Sequence, residues 1–142
     1  MGHTTSIQLE LCNEPNATFA LRRAVDRVAS ECELADEARF ELKLAATEAV
    51  TNALKGAPQE HAVEVAVACT EVGVDVEVVD RGRFEPRIRE ESPVDAESGR
   101  GIPLMLALVD EIEFASACGG TRVRMRKRVA ELGRGRGVLL GS

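Results

Sequence analysis

The chain has 142 residues, 44% of them apolar, with a formal net charge of −6; this is the size and composition of one globular domain rather than a disordered chain. No run of about 18 apolar residues reads as a membrane span and no basic start leads into an apolar stretch, so a cytoplasmic protein is expected. Residues 119–142 carry seven Arg and Lys against one Glu, and the remainder 11 against 23, a split that favours protein partners over general nucleic-acid binding, which spreads its basic excess along a groove.

Residues 6–12 alternate Ile7, Leu9 and Leu11 with polar neighbours, as a half-buried edge strand does. After the cap signal Pro15–Asn16, Leu21, Val25, Val28, Ala29 and Cys32 recur at helical spacing, which predicts a first helix over about 17–32. Asp36 is the expected cap of a second helix, stopped by Gly56 and Pro58. At about 100° per residue, Leu42, Ala45, Ala46, Ala49, Val50 and Ala53 form its apolar arc. Glu41, Glu48, Asn52 and Lys55 share a narrow polar sector beside that arc. Glu48 and Asn52, four residues apart, project into one small volume, as a solvated helix face or as a joint site.

In residues 62–70 and 72–79 valines recur at every second position and predict a hairpin turning near Glu71–Gly73. Residues 80–101 lose all period and are rich in charge, Pro and Gly, the pattern of a functional or mobile loop. Pro103 suits the first turn of a helix continued by 104–109. Ile112 and Phe114 mark a fourth strand, and Gly119–Gly120 turn into a fifth. There Arg122, Arg124, Arg126 and Arg128 share one face, opposite Val123, Met125 and Val129. Those arginines serve either cross-strand ion pairs with Glu64, Asp75, Glu77, Glu111 and Glu113 or an acidic partner.

Residues 131–142 read as a flexible tail on a domain of residues 1–130. Cys12, Cys32, Cys69 and Cys118 are widely spaced with no metal-ligand motif, so buried reduced thiols are expected. Each strand has one apolar and one charged face. The predicted fold is therefore a two-layer α/β sandwich, a mainly antiparallel mixed sheet with helices on one face, in the order β-α-α-β-β-loop-α-β-β.

Four pieces stand in order along this frame. Glu48-x-x-x-Asn52 lies on the second helix, Asp80-x-Gly82 leaves a strand, Gly99-Arg100-Gly101 opens a helix and Gly120–Thr121 opens the last strand. Together they resemble the GHKL ATPase superfamily, with its Bergerat ATP-binding fold, and most closely its anti-sigma-factor serine/threonine kinases. TEAVTNALKGA (47–57) is similar to the N-box of that family, VVDRGRFEP (78–86) to its first glycine box and SGRGIPLMLALVDEIEF (98–114) to its second. GGTRVRMRKR (119–128) is similar to its closing strand. The likeness covers about residues 6–129.

The resemblance implies ATP and Mg²⁺ as cofactors. It assigns Glu48 as the base for the attacking hydroxyl, Asn52 as the Mg²⁺ ligand and Asp80 as acceptor of the adenine amine, with Gly82 admitting backbone to the ring. Gly99, Gly101 and the helix start at Ile102 would face the phosphates, with charge added by Arg100. Thr121 would steady the adenine-side Asp. Lys55 either reaches a phosphate or is solvated.

The chain departs from the family pattern at Arg83, where a second glycine is common, at Gly56, where His is frequent, and at Pro103, where a larger side chain is usual. The implied function is an anti-sigma factor that sequesters a sigma factor and phosphorylates a serine or threonine of an antagonist protein. The alternative is a non-catalytic nucleotide-binding interaction module. Retention of both Glu48 and Asn52 favours catalysis. The family's habit and the edge strand point to a homodimer.

Overall fold

The computed structural model describes residues 5–58, 60–81, 103–117 and 120–129. Five strands and two long helices follow in the order β1 (Ser6–Cys12), α1 (Ala17–Glu31), α2 (Asp36–Leu54), β2 (Ala62–Cys69), β3 (Gly73–Asp80), β4 (Glu111–Ala117) and β5 (Gly120–Arg128). A short helix over 103–108 precedes β4. The sheet order is β1-β2-β3-β5-β4, which puts β1 at an edge as its sequence suggests. Every pairing among these strands is antiparallel, so the sheet is not mixed over the described residues.

The period-two pattern sets the register. Leu9 pairs with Val65, and Val65 with Val78; Val78 pairs in turn with Val123. One apolar row thus crosses four strands. Val63, Val65, Val67, Val74, Val76, Val78 and Met125 are buried on that face beneath Leu21, Val25 and Val28 of α1 and Leu42, Ala45, Ala46 and Val50 of α2. Alanine dominates the inner arc of α2, and small side chains let its backbone lie close to the valine layer. Each valine so covered contributes roughly 1.5–3 kcal/mol of transfer free energy.

The caps differ in part from the sequence reading. Asp36 is the first residue of α2 rather than its cap; Ala35 holds that position without a side-chain bond. Asp36 and Glu37 act instead through their charge in the first turn, where a helix N-terminus favours anions. α2 ends at Leu54, and Gly56 takes φ +74° as the stop signal requires. α1 closes with a Schellman arrangement: the Leu34 amide donates to Ala29 O and the Glu33 amide to Ser30 O. Glu33 supplies the left-handed residue, at φ 58°.

The cysteine expectation is corrected. Cys32, the C-cap of α1, is disulfide-bonded to Cys69 at the end of β2, with Cα atoms 5.7 Å apart. The end of α1 packs over the β2–β3 turn, which brings together two residues with no recognisable spacing in sequence. Cys12 is free.

The outer sheet face resolves the arginine pattern as ion pairs. Arg126 grips Asp75 through two hydrogen bonds of 2.7 and 3.1 Å. Arg124 meets Glu113 at 3.0 Å and Arg122 meets Glu77 at 3.4 Å. Arg128 pairs with Glu111. The Asp75 hydrogen bonds push the Arg126 guanidinium pKa further up, opposed by burial. Arg81, just past β3, bonds Glu64 at 2.9 Å and holds its carboxyl below the usual carboxylate range.

Candidate functional site

The C-terminal half of α2 carries the polar sector predicted from its spacing. Glu48 and Asn52 are both half-buried, one turn apart, beside the arc of Ala45, Ala49 and Val50 that meets the core. Between them in sequence, Thr51 turns its hydroxyl back to donate to Thr47 O at 2.9 Å. Lys55 is the exposed C-cap residue. Glu41 belongs to the same sector by angle but has another task, since its carboxylate meets Lys127 of β5 at 2.7 Å.

From Lys55 the chain needs few residues to reach β2, so the end of α2 and the start of β2 lie at one end of the molecule. Val63 near that start pairs with Asp80, and Asp80 pairs with Thr121. The two strand ends holding the proposed adenine acceptor and its supporting hydroxyl are therefore adjacent. Thr121 is exposed and Asp80 is 3% exposed. Asp80 continues the parity of Val74, Val76 and Val78, which carries its carboxylate to the helix-covered face. Arg81, opposite in parity, is held to the outer face by Glu64.

The glycine before Thr121 has a definite reason. A Cβ built on Gly120 would overlap the Asp80 carbonyl oxygen and come within 2.7 Å of the Arg81 carbonyl carbon. Only glycine lets β5 begin that close to the end of β3. The sequence motif Gly120–Thr121 is thus a packing requirement at Asp80.

A buried carboxylate needs a partner, because leaving charge unpaired in low dielectric is costly. His61 supplies one: its Nε2 lies 3.0 Å from Asp80 Oδ1, and its side chain is 1% exposed. His61 belongs to none of the sequence motifs. The available signal was parity, since residue 61 is in phase with Val63, Val65 and Val67, so a polar side chain there enters the core side at the end of β2.

Glu48 and Asn52 thus share one side of α2, with Lys55 at its C-cap, and the β3–β5 register sets Asp80 beside Thr121. Gly82, Gly99, Arg100, Gly101 and Ile102 lie outside the described residues, as do the tail 131–142 and the expected loop beyond Arg81. Among the described residues, no group of three or more His, Cys, Asp and Glu forms a metal cage. The donor set at α2 instead offers one carboxamide oxygen, which suits a hard cation that keeps waters and phosphate oxygens as its other ligands. No helix among these residues is long and apolar enough to cross a membrane.

An antiparallel sheet covered on one face by two helices, with a carboxylate and carboxamide on one helix and a buried aspartate at a strand end, is the layout of a GHKL-type ATP-binding domain. Residues 11–127 match the family of histidine kinase-like ATPase domains, and the chain belongs to that family. It is also similar to the crystal structure of the RsbU and RsbW domains of Rv1364c from Mycobacterium tuberculosis, with a TM-score of 0.66 and 21% identity. That match covers 88% of this chain and 32% of the other, so the likeness is one of fold and this chain spans about a third of its neighbour's length. No curated protein sequence matches the chain.

Proposed function

We propose that this domain is an ATP-dependent serine/threonine kinase of the anti-sigma type, which holds a sigma factor and phosphorylates an antagonist protein. The observation that carries the catalytic part is the pairing of Glu48 and Asn52, half-buried one turn apart on α2. A domain that used nucleotide only to keep its shape would need no base beside the metal ligand. The RsbW domain within the similar structure supports a partner-switching role. β1 at the sheet edge is where a second copy would extend the sheet, which supports a homodimer.

In this reading Asp80 accepts the adenine amine, a bond that guanine, with an oxygen at that position, does not offer. Thr121 steadies the aspartate, and Asn52 holds Mg²⁺, which when bound neutralises triphosphate charge. Gly82, Gly99, Arg100, Gly101 and Ile102 complete the nucleotide contacts, with Lys55 near the phosphates. The antagonist's hydroxyl oxygen forms a bond to the γ-phosphorus as the bond to the β–γ bridging oxygen breaks, and ADP leaves. Glu48 takes the hydroxyl proton.

The test is Glu48→Gln against Asn52→Ala, with antagonist proteins encoded in the same genome. Glu48→Gln should bind Mg²⁺–ATP normally and lose roughly 10²–10⁴-fold in phosphoryl transfer. It should still hold a sigma factor yet stay displaceable by unphosphorylated antagonist. Asn52→Ala should lose Mg²⁺-dependent binding and transfer together. Transfer at the wild-type rate by Glu48→Gln removes Glu48 as the base, and no transfer by the wild type leaves a nucleotide-binding interaction module.

A further inference from the structure

We infer that His61 is a positioning residue for adenine selection, holding the Asp80 carboxylate in the orientation that reads the base amine. The inference rests on the proposed role of Asp80 as adenine acceptor and adds a residue to it. Three observations carry it. The His61 Nε2 to Asp80 Oδ1 separation is 3.0 Å, and the two side chains are 1% and 5% exposed, so the bond is shielded from competing water. Val63 is the register partner of Asp80, which makes His61, two residues before it, the diagonal neighbour on the same sheet face. Gly120 and Thr121 hem in the Asp80 backbone from the other side.

An ionised carboxylate only accepts hydrogen bonds, so His61 must present its Nε2 as N–H. A carboxylate has room for about four such bonds, so a bond from His61 does not itself exclude one from an amine. What the bond removes is rotation of the carboxylate about its Cβ–Cγ axis. A carboxylate already turned to face the base does not lose that freedom when nucleotide binds, and this is the preorganisation that strengthens a single polar contact. A histidine that only filled core space would leave base selection untouched.

The experiment compares ATP with purine riboside triphosphate, which lacks the amine, in titrations with Mg²⁺ on the full chain. Wild type should prefer ATP by roughly 10- to 150-fold, the range for a hydrogen bond to a charged group. Asp80→Asn should erase most of that preference. His61→Leu should shrink it at least about fivefold, while His61→Gln, whose carboxamide N–H can stand in for Nε2–H, should restore much of it. No preference in wild type, or full preference in Asp80→Asn, overturns the role of Asp80 itself. Preference lost in Asp80→Asn but intact in His61→Leu overturns the inference about His61 alone.

Should neither His61 variant fold, long-range ¹H–¹⁵N correlation on the wild type decides. Nε2 of His61 should carry the proton with and without ATP, and the ring resonances should shift more with ATP than with purine riboside triphosphate. An unprotonated Nε2, or equal shifts with the two nucleotides, overturns the inference.

Discussion

Lys127 and Glu41 join the sheet to the central helix through an ion pair of 2.7 Å, and the same ammonium donates to Leu108 O at 2.8 Å. Lys127 is the one charged residue in phase with Val123 and Met125 on the covered face of β5. Its head reaches α2 and the end of the 103–108 helix, so three elements share one cation. This decides between the two carboxylates of the α2 polar sector. Glu41 is committed to structure by that pair, which under the proposed function leaves Glu48 as the base. Glu41→Gln should therefore lower stability by about 1–2 kcal/mol, the scale of a charge-assisted hydrogen bond with partial exposure. It should keep phosphoryl transfer where Glu48→Gln loses it. Denaturant titration and a transfer assay on the same preparations check both halves.

The contact of Gly120 with Asp80 leads to a second expectation. Gly120→Ala puts a methyl group where the Asp80 carbonyl oxygen lies, and neither backbone can yield without breaking the β3–β5 ladder. Stability should fall by about 1–3 kcal/mol, the usual cost of overpacking. ATP affinity should fall further than nucleotide-free stability, because the displaced strand end carries Asp80, the proposed adenine acceptor. Melting curves with and without ATP would show it as a smaller nucleotide-induced rise in Tm than in wild type. An alanine protein with wild-type Tm and ATP response would mean that β5 can begin elsewhere.

Most of the fold is written in two periods that the residues display openly. Val63, Val65 and Val67, then Val74, Val76 and Val78, alternate without a break, and Leu42, Ala45, Ala46, Ala49 and Val50 trace one helical arc. Burial follows both patterns. What period does not carry is which distant segments meet. The Cys32–Cys69 bond depends on where α1 ends over the β2–β3 turn, and the His61–Asp80 bond on the register of β2 with β3. Of the candidate site, motif order placed Glu48 and Asn52 on one helix and Asp80 and Thr121 at strand ends, and the elements and register agree with that placement. His61 belongs to no motif, and only its parity with Val63 marked it.

Electrostatics at the exit from β3 can be followed by pH. Hydrogen bonding from Arg81, with its charge, lowers the Glu64 carboxyl below its ordinary value of 4.5. A depressed carboxylate stabilises the fold at pH above that ordinary value, and the contribution disappears as pH falls through the folded-state value. Arg81→Gln should raise the Glu64 titration midpoint toward 4.5, read from its side-chain carboxyl ¹³C shift. The pair is exposed, so the salt dependence should be strong: high ionic strength should shift wild type in the same direction as the substitution. A midpoint unmoved by either change would mean the pair does not persist in solution.

The disulfide tests the largest departure from the sequence reading. Cys32 and Cys69 are 37 residues apart, and the segment they close holds all of α2 and the rest of β2. Closing a loop of that length in the unfolded chain removes entropy worth roughly 3–4 kcal/mol on the loop-closure account. Reduction, or replacement of both residues by serine, should therefore lower stability by up to about that amount, with the effect centred on the C-terminus of α1 and the β2–β3 turn. Glu33, held in a left-handed conformation directly after Cys32, should be among the first positions to lose hydrogen-exchange protection, because its cap is fastened by the bond beside it. Reductant should depress the Tm of wild type and leave the Cys32→Ser/Cys69→Ser protein unchanged. Equal melting of wild type in oxidising and reducing buffer, with both thiols titrating in denaturant before any reductant is added, would show the pair to be reduced neighbours instead.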